Sequence, residues 1–141
     1  MTRRHIPRWL SRRLARDRDG ATALEFALVA PLILAFTFGI IELGHLFWTI
    51  GALNMAVEDA ARCASVSNVP SPPSTLCDTQ PHMQTYAVSR VWGMTVPAST
   101  FTLSTPSCGY LITASYPYTP IGGYIPMSLT ITASACYPVW H

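Results

Sequence analysis

Charge is scarce in this chain. Only 11% of its 141 residues are Asp, Glu, Lys or Arg, while half are apolar. Ordinary soluble domains carry roughly 25% charge. Past Asp78 the sole formal charge on a side chain is Arg90. General acid–base chemistry in the second half would therefore fall to His82, His141, the tyrosines or a carboxylate upstream. No Gly-x-Ser-x-Gly, phosphate loop, dinucleotide fingerprint or zinc motif occurs. Cys-x-x-Cys is missing as well, and His45, His82 and His141 stand at no metal-ligand spacing from the cysteines. These absences argue against an enzyme, so no catalytic residue, cofactor or metal site is expected. A surface so poor in charge suits a domain that neighbouring subunits cover. The competing explanation is that disulfides and a membrane tether simply tolerate it.

The charge that is present is lopsided. Arg3, Arg4, Arg8, Arg12, Arg13, Arg16 and Arg18 oppose Asp17 and Asp19 ahead of Gly20, so residues 1–20 carry +5 (7 − 2). Beyond them Arg62 and Arg90 oppose Glu25, Glu42, Glu58, Asp59 and Asp78, giving −3 (2 − 5). From Phe26 to Ile41 there is no charge, and continuing to Ile50 adds only Glu42. Residues 26–50 would span roughly 37 Å as a helix at about 1.5 Å each, enough to cross a bilayer. A basic end beside an apolar span fixes orientation, with the N-terminus cytoplasmic and the remainder translocated. Nucleic-acid binding by the arginines is disfavoured, because no aromatic stacking surface follows them. Ser11-Arg12-Arg13 is a poor twin-arginine signal, since Leu-Ala-Arg follows where large apolar residues belong. Phe47 and Trp48 suit the far interface. Glu42 and His45, one turn apart, read as a wetted interfacial pair.

Glu25 is the anomaly, at the fifth position after Gly20. A charged side chain entering a bilayer costs about 2.5–3.5 kcal/mol on insertion scales. Cutting the chain after Gly20 would free an ammonium on Ala21 to neutralise Glu25, most simply that of a neighbouring subunit. Basic leader, terminal Gly, fifth-position Glu and apolar helix together form a prepilin arrangement. With Gly20-Ala-Thr-Ala-Leu-Glu25-Phe26 and Val29-Ala30-Pro31, the chain resembles the TadE-like minor pseudopilins of tight-adherence (Flp, type IVc-like) pilus systems. The resemblance takes in Ala56-Val57-Glu58-Asp59-Ala60-Ala61-Arg62, Tyr116-Pro117-Tyr118-Thr119-Pro120 and Leu129-Thr130-Ile131-Thr132-Ala133-Ser134-Ala135. Residues 68–100 have no part in it.

The resemblance implies a minor pseudopilin that helps assemble or initiate the pilus. Prepilin peptidase would cleave between Gly20 and Ala21, and Glu25 with Phe26 would register the subunit. Its partners would be the inner membrane, the peptidase, the major pilin and other minor pseudopilins, with no nucleic acid. It would cross the bacterial inner membrane once and hold its C-terminal domain in the periplasm. Entry into the extracellular pilus stays open. The alternative is an uncleaved single-span inner-membrane protein with a periplasmic scaffold domain.

Helical spacing continues outward through Leu53, Val57, Ala60, Ala61 and Ala64, with Asn54, Glu58, Asp59, Arg62 and Ser65 on other faces. The organisation expected is a basic leader over 1–20 and a long helix over 21–67. A Pro/Ser-rich loop over 68–81 and an external domain over 82–141 follow. Pro31 removes one hydrogen bond from the helix, either as a harmless kink or as a flexible point for transfer into a filament. Ala35 and Gly39 form a loose small-xxx-small pair. Residues 82–92 predict a short helix with Met83, Tyr86, Ala87 and Val91 on one side, stopped by Gly93.

Thr100–Ser104, Gly109–Tyr118 and Ile125–Cys136 predict strands, with a turn over Pro120–Gly123. Tyr110, Ile112, Ala114 and Tyr116 mark one apolar face. Met127, Leu129, Ile131 and Ala133 mark another. The fold class is α+β: a long transmembrane helix continuing into a small domain with a short helix and antiparallel strands.

Cys63, Cys77, Cys108 and Cys136 all follow the apolar span. An even count in an oxidising compartment favours disulfides, in any of three connectivities. Cys63–Cys77 closes a short loop after the helix and is preferred. Cys108–Cys136 would then tie the ends of a hairpin. One objection stands: the best hairpin register aligns Tyr110, Ile112 and Ala114 with odd-numbered residues, turning Cys136 to the other face unless a bulge intervenes.

Overall fold

Helix-forming residues run unbroken up to the first cluster of prolines, and in the computed structural model they form one helix. The structure describes residues 19–67, 75–121 and 129–139. Helix α1, Asp19–Ser67, has 49 residues and continues through Pro31, where the Ala27 carbonyl loses its backbone partner. Helix α2 is Gln80–Arg90 and a 3-10 turn follows at Ala98–Thr100. Strands β1 (Phe101–Ser104), β2 (Tyr110–Tyr118) and β3 (Leu129–Tyr137) complete the chain. They form one antiparallel sheet in the order β1-β2-β3. This is an α+β fold. The leader residues 1–18, loop residues 68–74, the end of the β2–β3 turn, residues 125–128 with Met127, and His141 lie outside the described residues.

The chain divides into two compact units, Met1–Ile41 and Glu42–His141. In the first, every residue from Gly20 through Ile41 is exposed except half-buried Ala30. In the second, α1 supplies the cover for the sheet. Leu53, Ala56, Val57, Ala60, Ala61 and Ala64 are all fully buried. Alanines at 56, 60 and 64 repeat every four residues and stack along one face. Ser65, expected on an outer face, is buried instead, because its hydroxyl donates to the Pro138 carbonyl at 2.6 Å.

Phe101 is the largest fully buried side chain. In the sheet it lies opposite Ala114, which in turn lies opposite Ala133. One large ring beside two methyl groups fills the layer without a clash. Ile112, Met83 and Leu53 are also fully buried, each worth about 1.5–3 kcal/mol. Helix α2 buries Met83 and Ala87, leaves Tyr86 half-covered, and begins two residues earlier than the sequence predicts. Pro81 explains the earlier start, since proline is favoured in a first turn where its missing N–H is not needed. Val91 leaves the helix with ψ 113°.

The hairpin register is the odd-numbered one: Tyr110 opposes Tyr137, Ile112 opposes Ala135 and Ala114 opposes Ala133. Cys136 therefore opposes Leu111, yet it is bonded to Cys108, with the Cα atoms 6.3 Å apart. No bulge is needed. Cys108 precedes β2 in the turn from β1, and Gly109 between them has φ +123°. That left-handed backbone ends the alternation of faces and returns Cys108 towards Cys136. Only glycine serves there, because a Cβ would lie 2.0 Å from the Tyr137 carbonyl oxygen.

Candidate functional site

The residues expected to be processed and to register a subunit, Gly20, Ala21, Glu25 and Phe26, all lie in the first turns of α1 and are exposed. Phe26 is 73% exposed, and Leu24, Leu28, Val29 and Leu32 are uncovered beside it. Among the described residues Glu25 has no ion-pair partner. Apolar side chains left bare from Gly20 to Ile41, with Glu25 the one carboxylate among them, match a lipid or helix environment rather than water. The segment is long and apolar enough to cross a membrane.

A second cluster sits at the beginning of the second unit. The Tyr118 hydroxyl, at the end of β2, donates to Glu42 Oε1 at 2.5 Å. Its oxygen in turn lies 3.1 Å from His45 Nδ1, so that ring nitrogen is the donor. The other carboxylate oxygen, Oε2, accepts the Ile121 backbone N–H at 3.1 Å. Glu42 and His45 are thus joined through a buried tyrosine rather than paired through water as the sequence suggests. Burial, then the bond to Glu42 and its charge, push the Tyr118 hydroxyl up to about 12. Tyr118 was legible only as part of a Tyr-Pro-Tyr phrase, because its partners lie 73 and 76 residues away.

The other end of the stripe is stapled differently. Cys63 and Cys77 form a disulfide with Cα atoms 5.7 Å apart, which ties the last turns of α1 to the segment before α2. Arg62 donates to the Tyr137 hydroxyl at 2.9 Å and lies over that ring. On α2, His82 Nδ1 donates to Asp78 at 2.7 Å, which holds the Asp78 carboxyl below its ordinary range. Both contacts are solvent-exposed and contribute little to stability. Among the described residues no cluster of three or more His, Cys, Asp or Glu is placed to hold a metal ion.

A helix long and apolar enough to cross a membrane, in a chain with a small disulfide-bonded α+β unit, suggests a membrane-associated protein. Residues 20–62 match the family model described as TadE-like protein, so that segment is similar to the TadE-like proteins. The match begins at Gly20 and ends at Arg62, so the C-terminal phrases that share the resemblance lie beyond it. No curated protein and no solved structure matches the chain.

Proposed function

We propose that the protein is a minor pseudopilin that helps assemble or initiate a tight-adherence pilus. The observation that carries this reading is the bare helix from Gly20 to Ile41 with Glu25 as its one carboxylate. A helix so exposed is stable in lipid or against other helices, and a filament of packed pilin helices offers the second setting after the first. Prepilin peptidase cuts after Gly20 at the cytoplasmic face, where small flanking residues admit the peptide. The ammonium on Ala21 then offsets Glu25 of a neighbour, and Phe26 packs beside it. The disulfide-bonded unit lies in the periplasm, where oxidation of Cys63, Cys77, Cys108 and Cys136 is favoured. Bilayer-spanning residues end close to Ile41 on this reading, because Glu42 is engaged by Tyr118 and Ile121 of the outer unit.

Sequencing the mature N-terminus in cells with an active prepilin peptidase tests the proposal. The expected residue is Ala21, and Gly20→Arg should leave the precursor intact. A wild-type protein that keeps its leader would instead support an uncleaved single-span scaffold.

A further inference from the structure

Strand β3 lies at one edge of the sheet, and its nine residues pair with β2 in unbroken register. Native sheets blunt an open edge with charge, proline, a bulge or a very short strand. β3 has no charged residue, no proline and no bulge. The opposite edge is treated differently. β1 has only four residues, and α2 caps it. Gln84 Nε2 donates to the Phe101 carbonyl at 2.8 Å, and the Leu103 N–H donates to Gln80 Oε1 at 3.4 Å.

Those two glutamine contacts fix which backbone groups of β3 are free. Along an antiparallel strand, residues alternate between exchanging both backbone bonds with the facing strand and directing them away. Phe101 and Leu103 direct theirs to α2, so Thr102 between them bonds Thr113 of β2. Ile112 and Ala114, on either side of Thr113, then bond Ala135 and Ala133 of β3. Pro117 agrees with this parity, because its missing N–H falls on the β1 side, past the last residue that β1 pairs. Thr130, Thr132, Ser134 and Cys136 therefore turn their N–H and C=O groups outward. Among the described residues nothing pairs with those groups. Donors and acceptors at this spacing are complementary to an extended backbone.

The side chains narrow the choice. A strand laid beside β3 continues a buried face at Ile131 and Ala133 and an exposed face at Thr130, Thr132 and Ser134, so it alternates apolar with uncharged polar residues. A second copy fits poorly. Identical edges joined by a two-fold axis pair antiparallel. Within the second unit α1 runs in the direction of β3, from Glu42 beside Tyr118 to Arg62 beside Tyr137. Two-fold pairing would set the two Glu42 ends, where each chain arrives from its apolar run, at opposite ends of the joined sheet. Two copies anchored in one membrane need them at the same end, and a copy so oriented offers only the glutamine-capped β1. We propose that the β3 edge receives an extended, uncharged strand of a different protein, which lengthens the sheet to four strands. The choice of a different protein rests on reading α1 as a membrane anchor.

The probe is a blocked peptide of alternating threonine and valine, as long as β3, added to the oxidised full chain in detergent micelles. Amide hydrogen exchange is followed residue by residue by NMR. Without peptide, the Thr130, Thr132 and Ser134 amides should exchange about tenfold or more faster than those of Ile131, Ala133 and Ala135. The peptide should slow the first group by about tenfold or more, and the same peptide with glutamate in place of valine should not. Thr132→Pro removes an outward N–H and spares the ladder to β2, so it should keep the native near-ultraviolet circular dichroism and lose the peptide effect. Ser134→Pro repeats the test at a second outward position. An unchanged exchange pattern with peptide would overturn the proposal. Outward amides already slow at every dilution would overturn it too, since the chain would then cover its own edge. Slowing that needs only high protein concentration would replace the different protein by a second copy. Failure of the anchor would show instead as release of the full chain from vesicles on an alkaline wash, a result independent of the exchange rates.

Discussion

Replacing Tyr118 by Phe removes one oxygen and leaves the ring, so it isolates the contact that ties the end of β2 to α1. The hydroxyl donates to the Glu42 carboxylate and accepts from His45, and the side chain is 5% exposed. A buried hydrogen bond to a charged group contributes about 1.5–3 kcal/mol, so Tyr118→Phe should cost about 2 kcal/mol near pH 8. Its pH dependence is the sharper expectation. The folded protein holds the phenol in its neutral form up to about 12, whereas an unfolded tyrosine ionises near 10. Below the unfolded value both states are neutral and the contribution is complete. Above it the unfolded chain loses its proton first, and the advantage of the wild type falls by about 1.4 kcal/mol per pH unit. The two proteins should reach equal stability at about pH 11.5. Urea unfolding of the oxidised full chain in detergent micelles, followed by near-ultraviolet circular dichroism, measures both quantities. The other tyrosines are common to both proteins, so their contributions cancel. Equal stability at pH 8, or a gap that stays constant through pH 11.5, would refute the reasoning.

On the pseudopilin reading, Glu25→Ala should be inserted and cleaved normally yet fail to support piliation; normal pili at normal expression would leave Glu25 without a registering role. A chain beginning at Val69 should aggregate, because it uncovers the sheet and leaves Cys77 without Cys63. One beginning at Glu42 should be monomeric and melt cooperatively, as size-exclusion chromatography and a thermal scan would show.

The long helix was legible from composition alone, because an unbroken apolar run followed by helical spacing at Leu53, Val57, Ala60, Ala61 and Ala64 admits little else. The strands were legible from their alternation, and so was the register, since a one-residue slip would turn Ile112 and Ala114 away from the core. What sequence reasoning missed depends on contacts distant along the chain. Ser65 is polar and fits an outer face by pattern, and only the approach of Pro138 gives it a buried role. Tyr118 becomes the junction of Glu42, His45 and Ile121 through partners on the other side of the fold. Trp92 follows a helix end, where no periodicity indicates a neighbour, and its link to Trp48 runs through its own backbone carbonyl. The bulge expected for Cys136 proved unnecessary because one glycine in the preceding turn undoes the parity argument.

The Cys108–Cys136 bond also makes strand alignment countable. Its Cα atoms stand 6.3 Å apart, near the upper end of the usual range for a disulfide. If β3 slid by one residue, Cys136 would turn to the opposite face. If it slid by two, Cys136 would move roughly 7 Å along the strand. Neither arrangement lets the sulfurs meet without moving the backbone. A molecule in which these two thiols are joined to each other is therefore one whose sheet has assembled in step. The free-thiol content of a preparation, combined with a peptide map of the joined pair, becomes a census of correctly aligned subunits that can be taken in the membrane without purifying a folded domain.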